Sequence, residues 1–144
     1  MPPFTVSQDT SVSPLAAWER VVDWPRHGRY VPLTTVAVTT DRQRGVGTVF
    51  TAHTGVGRLG FDDPMEVVEW QPPANGNGGR CRLEKRGRVM IGWAELTVEP
   101  HGSGARVTWT EDAKPAGLPA FTDRASVAAG RLLFRRVLRK LLTD

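Results

Sequence analysis

An alternation of apolar and polar residues with a period of two runs through residues 33–113 and constrains the fold more than any other feature of the sequence. Glycine-rich turns interrupt it at intervals, for example at Gly45, Gly55, Gly87 and Gly102. This pattern is typical of a meandering antiparallel sheet that buries one face. We therefore predict six strands, over residues 33–41, 47–54, 58–70, 80–86, 89–99 and 105–113, with a longer loop over residues 71–79. Pro64 predicts an edge position or a bulge in the third of these strands, because proline cannot donate to a ladder.

A long amphipathic helix is predicted over residues 121–142. Its apolar residues fall on one arc of a helical wheel, and its basic residues fall on the opposite arc. The apolar arc holds Val127, Gly130, Leu133, Phe134, Val137, Leu138 and Leu141, and the basic arc holds Arg131, Arg135, Arg136, Arg139 and Lys140. Such a helix is about 31 Å long, which is enough to cross a small sheet and cover one of its faces.

The N-terminal segment predicts one further strand and two short helices. Residues 4–9 alternate apolar and polar side chains. Ser13 followed by Pro14 is a helix start signal, and Pro25 ends that helix because proline cannot continue its hydrogen bonds. Residues 24–30 are expected to form a second short helical turn. The predicted fold is therefore an α+β domain in which a curved seven-stranded antiparallel sheet surrounds the long C-terminal helix.

Length and composition limit the possible classes of protein. The 144 residues fit one domain over residues 1–144. The sequence contains no apolar run of about 18 residues that would predict a transmembrane helix, and its N-terminus lacks the regions of a signal peptide. We therefore expect a soluble cytoplasmic protein, either a monomer or a homodimer. The single cysteine, Cys81, excludes an internal disulfide and a cysteine-rich metal cluster, and we expect it to be buried.

Four segments are distinctive, namely WERVVDWPRHGRYVP at residues 18–32, GVGTVF at residues 45–50, MEVVEWQPP at residues 65–73 and GARVTWTED at residues 104–112. Together with the order of elements, they resemble the START-like (SRPBCC) superfamily, and within it the polyketide cyclase/dehydrase and lipid-transport branch. The resemblance covers nearly the whole chain and implies a helix-grip fold with a hydrophobic cavity between sheet and C-terminal helix. Members of this superfamily range from carriers of lipids and hormones to cyclases and to modulators of other assemblies, so the resemblance specifies the fold more closely than the activity.

An apolar pocket is expected at that cavity, and its ligand-binding residues are predicted from the inward positions of the strands and the apolar arc of the helix. These residues are Phe50, Phe61, Met65, Trp93, Trp109, Val127, Gly130 and Phe134. Such a pocket would bind a hydrophobic or aromatic small molecule, lipid-like or polyketide-like, with the protein as carrier or sensor. An ordinary filled core explains the same aromatic residues. For Gly130, close approach of a strand is as good an explanation as space for a ligand.

Two strand residues are candidates for chemistry near the cavity. Glu111 shares a strand face with Val107 and Trp109 and is expected at the cavity rim, although pairing with a nearby cation explains it as well. His53 could act as a general base near neutral pH, or it could be an exposed structural residue. The sequence shows no paired histidine or cysteine spacing, no Gly-x-Ser-x-Gly elbow and no phosphate-binding loop, so we expect no metal and no cofactor.

A third candidate, Asp123, falls on the helical arc of Gly130 and Phe134 and could face the cavity mouth, although helix capping explains it equally well. Asp62 and Asp63 are adjacent on a strand, so at most one of them faces the cavity. The resemblance implies an alternative function, a polyketide cyclase/dehydratase, which here would work without a metal or a covalent intermediate.

The net charge of +4 is concentrated on the C-terminal helix, because the residues before it are neutral in sum. The simplest explanation is a solvated outer helix face. A second alternative function follows from the same residues, namely docking of this basic face on RNA, on the ribosome or on an anionic membrane. The face lacks interleaved aromatic residues for base stacking, which argues against nucleic acid.

Overall fold

The computed structural model describes residues 3–117 and 120–143. The elements in chain order are β1 (Phe4–Thr10), α1 (Pro14–Val21), α2 (Trp24–His27), a 3-10 turn (Gly28–Tyr30), β2 (Thr34–Val38), β3 (Val49–Val56), β4 (Leu59–Gln71), β5 (Gly79–Lys85), β6 (Met90–His101), β7 (Gly104–Pro115), a second 3-10 turn (Ala120–Thr122) and α3 (Asp123–Thr143). All predicted strands and helices are present, with bounds that differ by a few residues.

The seven strands form one antiparallel sheet in the order β1-β7-β6-β5-β4-β3-β2. Strands β2 to β7 follow the chain as a meander, and β1 joins the far edge by pairing with β7. Helix α3 packs against one face of this sheet and contacts β1, β7 and α1. The predicted helix-grip fold is therefore confirmed.

Helix α1 begins where the sequence predicts it. The Ser13 hydroxyl oxygen accepts a hydrogen bond from the Ala16 N–H at 3.2 Å, and Pro14 occupies the first helical position. The side chains of Ala17, Trp18 and Val21 are buried. Arg20 Nη1 donates to the carbonyl oxygen of Leu142 at 2.8 Å. This bond ties α1 to the last turn of α3 and satisfies one of the carbonyls that the helix end leaves unpaired.

The pairing register decides which strand residues face α3. Phe50 lies opposite Met65, and Ala52 lies opposite Asp63. Because side chains alternate between the two faces of a strand, His53 and its partner Asp62 lie on the outer face. The alternation is uninterrupted in β3, whereas β4 has a bulge between Val67 and Glu69.

The segment Leu59 to Pro64 of β4 is locally an edge, as Pro64 predicts. Among the described residues, its ladder pairs are with β3, and the ladder with β5 begins only at Met65 and Lys85. The Pro64 carbonyl accepts a hydrogen bond from the Arg86 N–H at 2.8 Å. The nitrogen of Pro64 points to the same side, so its missing N–H falls where that ladder has already ended.

The loop over residues 71–79 contains a tight turn of its own. Ala74 and Asn77 form an isolated bridge, and the two residues between them, Asn75 and Gly76, have φ values of 54° and 80°. Asparagine and glycine are the residues that tolerate this left-handed backbone best. The segment predicted as a longer loop therefore contains a hairpin-like turn.

Candidate functional site

A cavity of about 350 Å³ separates the N-terminal half of α3 from the sheet. Its lining comes from α2, the segment that follows it, every strand of the sheet, and α3. The apolar lining residues are Phe4, Trp24, Val31, Val36, Phe50, Ala52, Phe61, Met65, Met90, Trp109, Ala113, Pro115, Gly130, Leu133 and Phe134, and the polar ones are His27, Thr34, Thr54, Asp63, Lys85, Glu111 and Ser126. Phe61 is 37% exposed, so the cavity reaches the surface beside it.

Stacked aromatic rings form two walls of this cavity. Trp109 of β7 stacks on Phe134 of α3 with ring centroids 4.8 Å apart. Trp24 of α2 stacks on Phe50 of β3 at 4.4 Å. Both contacts join a helix to the sheet through large apolar surfaces, which hold the helices at a fixed distance from the strands. The cavity is therefore bounded on two sides by stacked aromatic side chains.

A buried ion pair lies on the sheet side of the cavity. Lys85 Nζ is 2.7 Å from Asp63 Oδ2 and 3.6 Å from the sulfur of Met65. The Lys85 side chain is only 4% exposed. The other oxygen of Asp63, Oδ1, is enclosed and has no hydrogen-bond partner among the described residues. Removing either member of such a pair leaves an uncompensated charge in a poorly solvated place.

Glu111 adds a second buried carboxyl to the same cavity. Its side chain comes from β7, two residues beyond Trp109 on the same face, and it is 8% exposed. Burial raises the pKa of Glu111, since loss of water disfavours its charged form, and the positive charge of Lys85 opposes this shift. No ion pair joins its carboxyl to a cation among the residues that the structure describes, so the cation pairing considered from the sequence is absent.

The indole N–H of Trp109 is a hydrogen-bond donor close to the Glu111 carboxyl. It opposes the rise in the pKa of Glu111, but less than Lys85 does. Its geometry falls outside that of a hydrogen bond, and Trp109 Nε1 is itself enclosed without a partner among the described residues. The Trp109 indole N–H therefore lies close to the Glu111 carboxyl on β7 without forming a hydrogen bond to it.

His27 is the remaining ionisable residue of the lining. Its Nε2 donates to the Val21 carbonyl oxygen at 2.8 Å, which leaves Nδ1 as the acceptor of the neutral ring. Burial lowers the pKa of His27, since the protonated ring would be poorly solvated. The ring packs between Trp24 and Trp109, with centroid distances of 5.7 and 5.8 Å. His27 therefore contributes a neutral polar edge to an otherwise aromatic wall.

Six of the eight residues predicted to bind a ligand line the cavity. They are Phe50, Phe61, Met65, Trp109, Gly130 and Phe134. Val127 is not among the lining residues and is partly buried against the core. Trp93 lies on the outer face of β6, because Ala94, Leu96 and Val98 occupy the inner positions, and the guanidinium of Arg82 sits 4.5 Å above its ring. The placement predicted for Trp93 was therefore wrong.

Both explanations considered for Gly130, close approach of a strand and space for a ligand, agree with the structure. A Cβ added to Gly130 would lie 2.7 Å from Cε1 of Phe4, so the absence of a side chain lets the ring of β1 approach the helix. Gly130 also lines the cavity beside that ring. A bulky residue at this position would therefore displace Phe4 as well as occupy the cavity.

Two of the three candidate catalytic residues lie outside the cavity. His53 faces outward, with its Nδ1 2.6 Å from Asp62 Oδ1 at a well-exposed surface. Asp123 lies in the first turn of α3, where a carboxylate interacts favourably with the helix dipole, and it is not part of the lining. Of the predicted candidates, Glu111 alone is placed in the cavity.

The sequence analysis did not identify every ionisable residue of the cavity. It did not name Lys85 or His27, and it did not decide between Asp62 and Asp63. Lys85 could have been found from the alternation of β5. It follows the buried Cys81 and Leu83 at every second position, so it lies on the same inner face. The same alternation places Asp63, and not Asp62, on the inner face of β4, once that face is assigned from the buried and cavity-lining residues. His27 has no such signal, because it lies in a four-residue helix without a repeating pattern.

The outer surface of α3 is basic, as predicted. Arg131, Arg135, Arg136 and Arg139 are exposed and make no ion pair with the residues that the structure describes. Within residues 3–117 and 120–143, no helix has the length and apolar character needed to cross a membrane. No three His, Cys, Asp or Glu side chains in these ranges are grouped as metal ligands would be.

Cys81 is buried on the inner face of the sheet, as predicted. Burial raises the pKa of its thiol to about 12, so the reactive thiolate is scarce at neutral pH. Its place between Trp70 and Leu96 in the ladder makes it a packing residue of the sheet.

Solved structures of other proteins share this fold. Protein TTHA0849 from Thermus thermophilus has a TM-score of 0.72 at 16% identity, covering 98% of this chain and 94% of its own. The STAR-related lipid transfer protein from Xanthomonas axonopodis has a TM-score of 0.70 at 12% identity, with coverage of 96% and 85%. The human StarD13 lipid transfer and protein localization domain has a TM-score of 0.73 at 12% identity, with coverage of 99% and 77%. At these identities the likeness establishes the fold alone.

The sequence itself identifies the family. No curated protein sequence matches the chain. A family model described as polyketide cyclase/dehydrase and lipid transport matches residues 1–144. The protein therefore belongs to the polyketide cyclase/dehydrase and lipid-transport family.

Proposed function

We propose that the protein binds an apolar or aromatic small molecule, lipid-like or polyketide-like, between α3 and the sheet, as a carrier or sensor of that molecule. The observation that carries this proposal is a cavity of about 350 Å³ with a mainly apolar lining. Volumes of about 300–1,000 Å³ are usual for small-molecule sites. The family description and the names of two structural neighbours, which include lipid transfer, support the same class of ligand.

The shape of the lining favours a ligand with rings or a stiff apolar chain. The stacked pairs Trp109–Phe134 and Trp24–Phe50 face the cavity and present flat apolar surfaces. Such rings have few rotatable bonds, so little conformational entropy is lost when a ligand packs against them. The lining polar groups are few, and they would orient a ligand rather than supply most of its binding energy.

A substitution that fills the cavity tests this proposal. Ala52 lines the cavity on β3, and Ala37 is exposed on the outer face of the neighbouring β2. We expect Ala52→Leu to abolish binding of the uncharged fluorescent probe N-phenyl-1-naphthylamine, because the added carbons occupy the space between α3 and the sheet. The matched variant Ala37→Leu should bind the probe as the unmodified protein does. Equal probe binding by both variants would show that the probe binds elsewhere and would overturn the proposal.

A cyclase or dehydratase acting on such a ligand is the second candidate function, and Glu111 is the observation that favours it. A carboxyl whose pKa is raised by burial stays protonated closer to neutral pH, where it can act as a general acid toward a bound carbonyl or hydroxyl group. His53 and Asp123 lie outside the cavity and have no part in this alternative.

Turnover assays separate this candidate from simple binding. The unmodified protein and Glu111→Gln would be incubated with reactive poly-β-ketone chains, and products would be followed by mass spectrometry. Catalysis by Glu111 predicts accelerated cyclisation or loss of water that disappears in Glu111→Gln, with probe binding retained. Rates equal to the uncatalysed reaction in both proteins would leave binding as the function.

Docking through the basic face of α3 is the third candidate, and it is favoured by exposed arginines that make no ion pair with the described residues. Association with RNA or anionic vesicles should then weaken steeply with salt and be lost when Arg135, Arg136 and Arg139 are changed to glutamine. Probe binding in the cavity should survive these changes. Absence of any salt-dependent association would exclude this role.

A further inference from the structure

Glu111 is a mostly buried carboxyl at the cavity wall, and no described residue forms a hydrogen bond or an ion pair with it. It is 8% exposed and lines the cavity, the charge of Lys85 acts on it from nearby, and the Trp109 indole approaches it outside hydrogen-bond geometry. Buried polar groups in folded proteins are normally hydrogen-bonded, because an unpaired one loses its contacts with water and gains nothing in return. A carboxyl held in this way at the wall of an apolar cavity is suited to a partner that enters the cavity from outside.

The charges around Glu111 indicate what that partner should be. Lys85 already donates to Asp63 at 2.7 Å, so the one ammonium group among the described lining residues is paired with a different carboxylate. His27 adds no second cation, because its Nε2–H is bonded to the Val21 carbonyl and burial favours the neutral ring. Of the described lining residues, two are acids and one is a lysine. The cavity therefore has one carboxyl in excess.

We propose, resting on the function proposed above, that the natural ligand carries a hydrogen-bond-donating head without negative charge, and that this head binds the Glu111 carboxyl. A protonated amine is the strongest case, because it adds the missing positive charge, and a hydroxyl group is the neutral case. A ligand carboxylate would bring a third negative group to Asp63 and Glu111 with only Lys85 to balance them. Free fatty-acid anions are accordingly poor ligands.

The position of Glu111 orients the rest of the ligand. Trp109 lies two residues away on the same face of β7, and its ring stacks on Phe134 of α3. A head on Glu111 therefore places the adjoining apolar body against these two rings. The ligand class that fits both features is an apolar amine or alcohol, with a long chain or a ring system next to its polar end.

Three compounds with the same chain and different heads test this inference. Decylamine, decanol and decanoate would compete with N-phenyl-1-naphthylamine for the unmodified protein, for Glu111→Gln and for Glu99→Gln at neutral pH. The first substitution keeps the shape of the side chain and removes its charge. Glu99 is an exposed residue of β6, so the same substitution there serves as the matched control.

We expect decylamine and decanol to displace the probe from the unmodified protein at concentrations at least about tenfold lower than decanoate, which corresponds to about 1.4 kcal/mol. The difference between decylamine and decanoate should shrink to about threefold or less in Glu111→Gln and persist in Glu99→Gln. Decanoate binding as tightly as decylamine, or an amine preference that survives in Glu111→Gln, would overturn the inference. Failure of the probe and all three compounds to bind would overturn the proposed function, and this inference with it.

Discussion

The two halves of α3 cross the same sheet but meet different surroundings. In the C-terminal half, Val137, Leu138, Leu141 and Leu142 are all buried. In the N-terminal half, Gly130, Leu133 and Phe134 are only partly buried, and they border the cavity. One helix with one repeating pattern therefore has a filled end and a cavity end.

Helix α1 accounts for much of this difference. Its Trp18 is fully buried and meets Trp70 of β4 edge-on, with ring centroids 5.1 Å apart. Arg20 of the same helix is bonded to the last turn of α3. At the cavity end the corresponding space is lined by aromatic side chains and by three ionisable groups of the sheet, Asp63, Lys85 and Glu111. Close apolar packing and the cavity are thus separated along a single helix.

The largest effect should come from disrupting the ion pair at the cavity end. Lys85→Met leaves Asp63 without its partner and Glu111 without a nearby positive charge, and we expect the free energy of unfolding to fall by about 3–5 kcal/mol. The double variant Lys85→Met with Asp63→Leu removes both charges and should recover most of that loss. Urea unfolding measures both values. A single variant as stable as the unmodified protein would show that solvent already compensates these charges.

A matched pair of leucines sharpens the comparison directly. Leu141→Ala at the filled end should lower the free energy of unfolding by about 3 kcal/mol, because it leaves a void in close packing. Leu133→Ala borders an existing cavity and should cost only about 1–2 kcal/mol. Leu133→Ala should also enlarge the site and alter probe affinity, whereas Leu141→Ala should not. Equal losses of stability would contradict the distinction between the two ends.

Glu111, at the cavity end, should make the free energy of unfolding depend on pH. Burial raises its pKa above the ordinary value of 4.5, so the folded protein holds a proton at pH values where the unfolded chain has lost it. The contribution of Glu111 to the free energy of unfolding must therefore fall as pH rises from 4.5 to the raised pKa. Glu111→Gln lacks this proton and should lack the fall.

The measurement is urea unfolding of both proteins from about pH 5 to about pH 8, with the difference between them plotted against pH. His27 contributes in the opposite direction, because its lowered pKa favours the folded state as pH rises, but it is present in both proteins and cancels in the difference. A difference that does not change with pH would mean that Glu111 ionises in the folded state as it does in the unfolded chain.

The smallest effect concerns Gly130, where the helix meets Phe4. Alanine in a helix is favoured over glycine by about 1 kcal/mol, but here its Cβ would press on the Phe4 ring at 2.7 Å. We expect Gly130→Ala to be nearly neutral in the unmodified protein and to stabilise the Phe4→Leu variant by about 1 kcal/mol. The same gain in both backgrounds would show that the contact with Phe4 is easily relieved.

The fold could be predicted because it depends on local signals that the sequence repeats. Each strand carries its own alternation, each hairpin its own turn residues, and Ser13 and Pro14 mark the start of α1. Pro64 also indicates where the ladder between β4 and β5 ends, because a residue without an N–H is tolerated where no ladder partner is needed. Each of these signals involves only a few consecutive residues, so it can be recognised in one sequence without knowledge of the tertiary structure.

The site could be predicted only in part because it is assembled from residues that are far apart in the chain. Asp63 and Lys85 meet across β4 and β5, and neither has a sequence motif that names the other as its partner. Strand parity separates the outward-facing candidates His53 and Trp93 from the residues that line the cavity. Phe50 and His53 occupy opposite faces of β3, and Trp93 alternates with Ala94 on β6, so only one of each pair can face the helix.

The pairing of β1 with β7 has a consequence for synthesis on the ribosome. Thr5 and Thr110 lie 3.2 Å apart through their hydroxyl groups although 105 positions separate them in the chain. Strand β1 leaves the ribosome before the other six strands but cannot pair with β7 until nearly the whole sheet has been made. Contacts of this kind slow folding because a long loop must close before they form. During translation the apolar side chains of Phe4 and Val6 stay uncovered. A nascent chain stalled before β7 should therefore be bound by holdase chaperones and released once β7 has emerged.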